Sequence, residues 1–134
     1  MRCVFADSFY YLALVNPGDP AHAKAALFTL NYMEHTVTTG WILTELADGW
    51  AKPVAHRNFF PQLLTELRAR TDTDIIPVTD QLMEEGIDLY RRRADKEWSL
   101  TDCISFVVMT REGITDALTG DHHFEQAGFT ALLK

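Results

Sequence analysis

The chain has 134 residues, 47% hydrophobic and 23% charged, with a net charge of −7. That is the size and composition of one ordinary globular domain with a core of its own. The acidic balance offers no electrostatic footprint for nucleic acid unless bound cations reverse the local sign, and no apolar run approaches the roughly 20 residues that cross a bilayer.

The opening stretch, "MRCVFADSFYYLALV", starts like a signal peptide, with Arg2 before apolar residues. Asp7 interrupts it and no small-residue cleavage site follows, so a cytoplasmic protein is expected. "RCVFA" (2–6) is short and β-prone, and "SFYYLALVN" (8–16) has helical length up to Pro17. Asp19 followed by Pro20 reads as an N-cap with proline in the first turn of a helix over 21–33. "HTVTT" (35–39) predicts a strand, 40–50 a helix, and 56–70 a further helix that Pro61 either kinks or starts near 60. "DIIPV" (74–78) is the next strand, with Thr79 or Asp80 capping a helix over 81–93. After the polar loop "ADKEWS" (94–99) comes a helix whose apolar residues run nearly all round, the mark of a buried element. A strand at 115–120, a short helix "HHFEQA" and a last strand at 129–133 close the chain.

Short apolar strands alternating with helices predict an α/β fold with a mostly parallel sheet covered on both faces. Cys3 and Cys103 make neither a CxxC pair nor a zinc spacing, and their apolar company predicts buried, reduced thiols.

Within this frame four acids take comparable places. Asp7 ends the first strand and Asp121 follows the fourth, at the edge where open α/β sheets bind ligands. Glu45 lies beside the apolar face formed by Leu43, Leu46, Ala47 and Trp50, and Asp102 opens the buried helix. Each has a plainer reading. Asp7 and Asp102 can cap helices, Ser99 with Asp102 matching the capping-box pattern. Glu45 can be a solvated helix residue, and Asp121 a turn or cap residue. Together they bring carboxylates to one rim with no matching lysine or arginine in the adjoining sequence. Held close, such groups repel, and a hard divalent cation is the usual remedy.

The blocks "FADSFYYLALVNPGDPAHAKA", "TTGWILTELADG", "DKEWSLTDCISFVVMTREGI" and "ALTGDHHFEQAGF" resemble, in order and at the right length, the successive blocks of a PIN domain. The similarity is to the small single-domain kind, the VapC toxins and their relatives, and covers nearly the whole chain; residues 53–93 carry no family motif. The resemblance implies a three-layer α/β/α PIN-like fold, one domain over 1–134, with about five short strands. It carries Asp7, Glu45, Asp102 and Asp121 over as an acidic quartet that binds Mg²⁺ or Mn²⁺ and performs catalysis. Thr119, Ser8 and Asp95 match supporting positions. The implied activity is metal-dependent hydrolysis of RNA phosphodiesters, leaving a 5′-phosphate and a 3′-hydroxyl. A cognate antitoxin and a homodimer are the implied partners, with no membrane.

One departure is "GDHHF", where the family often has arginine or lysine after the last aspartate. His122 and His123 beside Asp121 are zinc or manganese ligands in one reading, but adjacent histidines seldom converge on one ion from a helix, and the plainer reading is surface or supporting histidines. "YRRR" (90–93) with Lys96 is the only basic cluster, a phosphate grip or a helix end neutralised by cations. Phe9, Tyr10, Tyr11, Phe28, Tyr32 and Trp41 read as core or interface residues rather than base-stacking groups, and the resemblance suggests Phe9 to Tyr11 with Tyr32 as a dimer or antitoxin surface. A receiver or phosphatase-like domain also places an aspartate after its first strand. Phe9 stands where the phosphatase type needs a second aspartate, and the receiver's paired acids and final lysine do not appear. The other alternative is a PIN-like module that binds RNA or protein without cutting.

Overall fold

A computed structural model describes residues 2–31 and 35–134. Five strands, β1 (Cys3–Ala6), β2 (His35–Thr39), β3 (Thr73–Ile76), β4 (Asp116–Leu118) and β5 (Thr130–Ala131), form one sheet in the order β3-β2-β1-β4-β5. Every pairing is parallel, with Phe5 opposite Val37 on one side and Ala117 on the other. Successive strand residues point to opposite faces, and Val4, Phe5 and Ala6 are all fully buried. Both faces of the sheet are therefore covered, which makes the architecture the expected three-layer α/β/α PIN-like fold.

The helices are α1 (Ser8–Val15), α2 (His22–Asn31), α3 (Gly40–Gly49), α4 (Phe59–Ala69), α5 (Asp80–Arg92), α6 (Leu100–Glu112) and α7 (His122–Gln126). Packing joins α1 to α2 and α3, and α5 to α6, which also meets α7. α6 buries Cys103, Ile104, Ser105, Phe106, Val108 and Met109. Its start is fixed by a capping box between Ser99 and Asp102, and its end by Gly113 at φ 69°, a left-handed conformation that glycine adopts without a Cβ penalty. Gly86 of α5 lets that helix close onto α6, because a Cβ there would overlap the side chain of Ile104.

Several expectations are refined. α4 follows a 3₁₀ turn at Val54–His56 and starts at Phe59, so Pro61 lies in the first turn, where its missing N–H leaves no bond unmade. Thr79, not Asp80, caps α5, accepting from Leu82 N. The predicted strands at 115–120 and 129–133 contract to three and two residues. Cys103 is buried as expected, Cys3 only partly, and both are free thiols. Tyr10 and Tyr11 take the core alternative rather than the dimer or antitoxin surface. Both are buried, packed together with ring centroids 5.0 Å apart, and Tyr10 meets Phe28 edge-on. The last part of the predicted second helix, including Tyr32, lies outside the described residues. No helix among the described residues is long and apolar enough to cross a membrane.

The connections set the location of the site. From β1 the chain steps outward through β2 to β3, then crosses back to β4 on the other side of β1. The strand order therefore reverses between β1 and β4. In parallel sheets a crevice opens at such a point, beyond the carboxyl ends of the strands.

Candidate active site

At that reversal lies a cleft of about 350 Å³, lined by Asp7, Ser8, Phe9, Leu12, Glu45, Glu97, Ser99, Asp102, Asp121 and His123. All four acids singled out from the sequence are brought together here, one from each of four separate segments. Among these described lining residues there is no lysine or arginine.

Asp7 directly follows β1 and is buried. Its Oδ2 accepts a 2.8 Å hydrogen bond from Thr119 Oγ1, which is itself fully buried after β4. The same hydroxyl oxygen accepts from Asp121 N at 3.1 Å, so one side chain ties the first acid to the last. Thr38 Oγ1 donates to Ala6 O at 2.9 Å and steadies the end of β1 from the neighbouring strand. Burial pushes the Asp7 pKa up to about 7. The Thr119 hydrogen bond pulls against this, while the charges of Glu45 and Asp102 add to it.

Glu45 projects from α3 beside the face that buries Ile42, Leu43 and Leu46. Thr39 caps this helix by accepting from Ile42 N, and Ser8 Oγ donates to Glu45 Oε1. Asp102 is held on its Oδ2, which accepts from Ser99 N at 3.1 Å and lies 3.1 Å from His123 Nδ1. Burial raises the Asp102 pKa, opposed by the Ser99 hydrogen bond and helped by the Asp121 charge. Asp121 caps α7 by accepting from His123 N at 2.9 Å. Capping and lining the cleft are thus not exclusive, because a carboxylate has two oxygens and about four lone-pair sites.

The supporting residues divide. Thr119 and Ser8 are in contact with the acids. Asp95 is not, which corrects its proposed place at the site. Arg93 Nε holds it at 3.0 Å and Lys96 Nζ lies 3.8 Å away, out in solvent. The physical reason is Trp98. Its buried indole donates to Gln126 Oε1 at 3.0 Å and carries the Arg93 guanidinium 5.0 Å over its ring, which pins the loop. Glu97, rather than Asp95, then faces the cleft. The acid-rich "DKE" was visible in the sequence, but which acid turns inward depends on that indole.

His123 takes the supporting place the sequence allowed, but its contact with Asp102 was not legible there. It stands between two of the acids, 3.1 Å from Asp102 Oδ2 and 3.5 Å from Asp121 Oδ1. The basic stretch is largely engaged elsewhere, with Arg92 paired to Asp88 and Arg93 to Asp95. Arg91 and Lys96 line an adjoining groove with Tyr90 and Trp98, and Glu97 borders both this groove and the cleft.

The cleft can hold a divalent cation: the donors are hard oxygens, no lysine or arginine stands among the described lining residues, and Asp7 and Asp102 have raised pKa values.

Comparison with known proteins places these features in context. No family model matches the chain. It is 29% identical over 126 residues to the 23S rRNA-specific endonuclease VapC20 of Mycobacterium tuberculosis, in strains CDC 1551 and H37Rv, covering 94% of this chain and 95% of the relative. The crystal structure of the M. tuberculosis VapC20, a Sarcin-Ricin loop cleaving toxin, superposes with a TM-score of 0.83 at 28% identity. That likeness covers 95% of this chain and 96% of the other.

Proposed function

We propose that this chain, a PIN-domain ribonuclease of the VapC type, hydrolyses RNA phosphodiester bonds with a divalent cation held by Asp7, Glu45, Asp102 and Asp121. It would act as the toxin of a toxin–antitoxin pair, with self-association and an antitoxin partner belonging to the same reading. The observation that carries the catalytic part is the convergence of these carboxylates on a cleft whose described lining contains no lysine or arginine.

Mg²⁺ or Mn²⁺ bound there would lower the pKa of a coordinated water and neutralise charge on the phosphate during in-line attack. The chain's own residues do the positioning. Thr119 orients Asp7 through its Oδ2, and Ser8 orients Glu45. Ser99 and His123 engage Asp102 through Oδ2, leaving Oδ1 free of hydrogen bonds among the described residues. Such outer contacts keep the carboxylates from turning away from one another when no cation is present.

The relative's substrate supplies the first RNA to try. A synthetic hairpin of the sarcin–ricin loop is incubated with the protein and Mg²⁺ or Mn²⁺. Cleavage at a defined position is expected, with a 5′-phosphate on the downstream product, no reaction in EDTA, and a rate about 100-fold lower in Asp102→Asn. A hairpin that is bound but left intact with either ion would instead support the non-cutting module.

A further inference from the structure

Beside the carboxylates, His123 in the cleft and His122 next to it outside the lining offer nitrogen donors that an all-oxygen cation site does not require. His122 and His123 follow Asp121 directly at the start of α7. His122 Nδ1 lies 3.6 Å from Asp121 Oδ1, His123 Nδ1 lies 3.5 Å from the same oxygen, and His123 Nδ1 lies 3.1 Å from Asp102 Oδ2. One ligand atom from each of Asp121, His122 and His123 falls within 4.8 Å of the other two.

These separations have a chemical meaning. Two donors each about 2.1 Å from one ion, at angles between octahedral and tetrahedral, stand about 3.0–3.4 Å apart. The contacts of 3.1, 3.5 and 3.6 Å are at or within a few tenths of an ångström of that spacing. The two imidazoles already face the same carboxylate, with ring centroids 4.4 Å apart. His123 is mostly enclosed while His122 is 63% exposed, so the seat is anchored on its inner side and open to solvent on its outer side.

We infer that Asp121, His122 and His123, with Asp102 on their inner side, form a mixed nitrogen–oxygen seat that selects a transition-metal dication over Mg²⁺. The inference rests on the metal-dependent reading above and adds a preference that four carboxylates alone would not give. Imidazole nitrogen suits the later first-row ions, whose affinity for such ligands rises along the series from Mn²⁺. Mg²⁺ prefers oxygen and sheds its waters reluctantly, so it gains little from either ring.

Calorimetric titration with Co²⁺ and with Mg²⁺ tests this on the native protein and on the His122→Asn, His123→Asn double variant. Co²⁺ also reports nitrogen ligation through its visible absorption. The expected result is a native preference for Co²⁺, a loss of about tenfold or more in Co²⁺ affinity in the double variant with altered visible bands, and a smaller loss of Mg²⁺ affinity because His123 also holds Asp102. Equal losses for the two ions would overturn the inference. Unchanged Co²⁺ affinity and spectrum would overturn the inference while leaving the metal-dependent reading intact. A native protein that binds neither ion would remove both. Should the double variant not fold, His122→Asn alone alters a side chain exposed to solvent; a severalfold loss of Co²⁺ affinity is expected there, and no loss overturns the inference.

Discussion

Thr119 Oγ1 donates to Asp7 Oδ2 at 2.8 Å, joining residues 112 apart in sequence, and accepts from Asp121 N at 3.1 Å. The hydroxyl is fully buried, so removing it exposes neither partner to water. Thr119→Val keeps the shape and β-branching of the side chain but leaves a buried carboxylate oxygen and a backbone N–H without this partner. A loss of about 1–3 kcal/mol of stability is expected, together with weaker divalent binding. Thr119→Ser should retain most of both. Urea denaturation and calorimetry on the two variants check this, and a valine variant that matches native in both would refute the bridging role.

Asp7 also makes stability depend on pH. Its pKa is pushed from 3.8 to about 7 in the folded chain, chiefly by burial. The folded state therefore holds this proton more tightly than the unfolded state does. The resulting stabilisation is fully present below the unfolded value and is lost as pH rises toward about 7. In EDTA, the native protein should lose at most about 4 kcal/mol from this source across that window. Asp7→Asn should show a flatter profile. Parallel profiles for the two proteins would contradict the assignment.

The contact between α5 and α6 gives a test of the scaffold. Alanine is the better helix former, worth about 1 kcal/mol over glycine in a helix interior. At Gly86, however, the added Cβ would overlap Ile104, a fully buried residue of α6. Overpacking of about 1–3 kcal/mol outweighs the propensity gain, so Gly86→Ala should lower the thermal midpoint. A midpoint that rises instead would show that Ile104 yields without strain.

Arg91 and Lys96 border the groove that meets the cleft at Glu97. If RNA runs along this groove, Arg91→Ala with Lys96→Ala should weaken binding similarly across sequences. The salt dependence should become shallower by up to about 1.4 in log–log slope, at about 0.7 for each phosphate contact to a single strand. Fluorescence anisotropy at several salt concentrations reads both quantities, and an unchanged slope would place the RNA elsewhere.

The parallel sheet was legible, and so was the meeting of the acids: Asp7, Asp102 and Asp121 sit at element boundaries that turn and cap residues mark, and Glu45, inside α3, lies beside an apolar helix face and matches the family block. Asp7 precedes Ser8 at a strand end, Asp102 belongs to a capping box, and Asp121 follows the short β4. What stayed hidden depends on contacts between distant segments. The indole of Trp98 decides that Glu97 rather than Asp95 faces the cleft, and the approach of α7 to α6 brings His123 to Asp102. The sequence leaves Tyr10 and Tyr11 open between core and interface, and they pack inward because α1 is covered by α2 and α3. Local sequence does not reveal which helix covers which.

Mg²⁺ binding by the native protein and by Asp102→Asn, followed by calorimetry with the fold checked by circular dichroism, tests the central claim most directly. Asparagine can still accept the Ser99 hydrogen bond that caps α6, so the substitution separates charge from capping. The account expects binding to the native protein and a loss of about tenfold or more in the variant with its helices intact. Equal affinity in the two proteins, or no binding to the native protein at millimolar Mg²⁺, would contradict it.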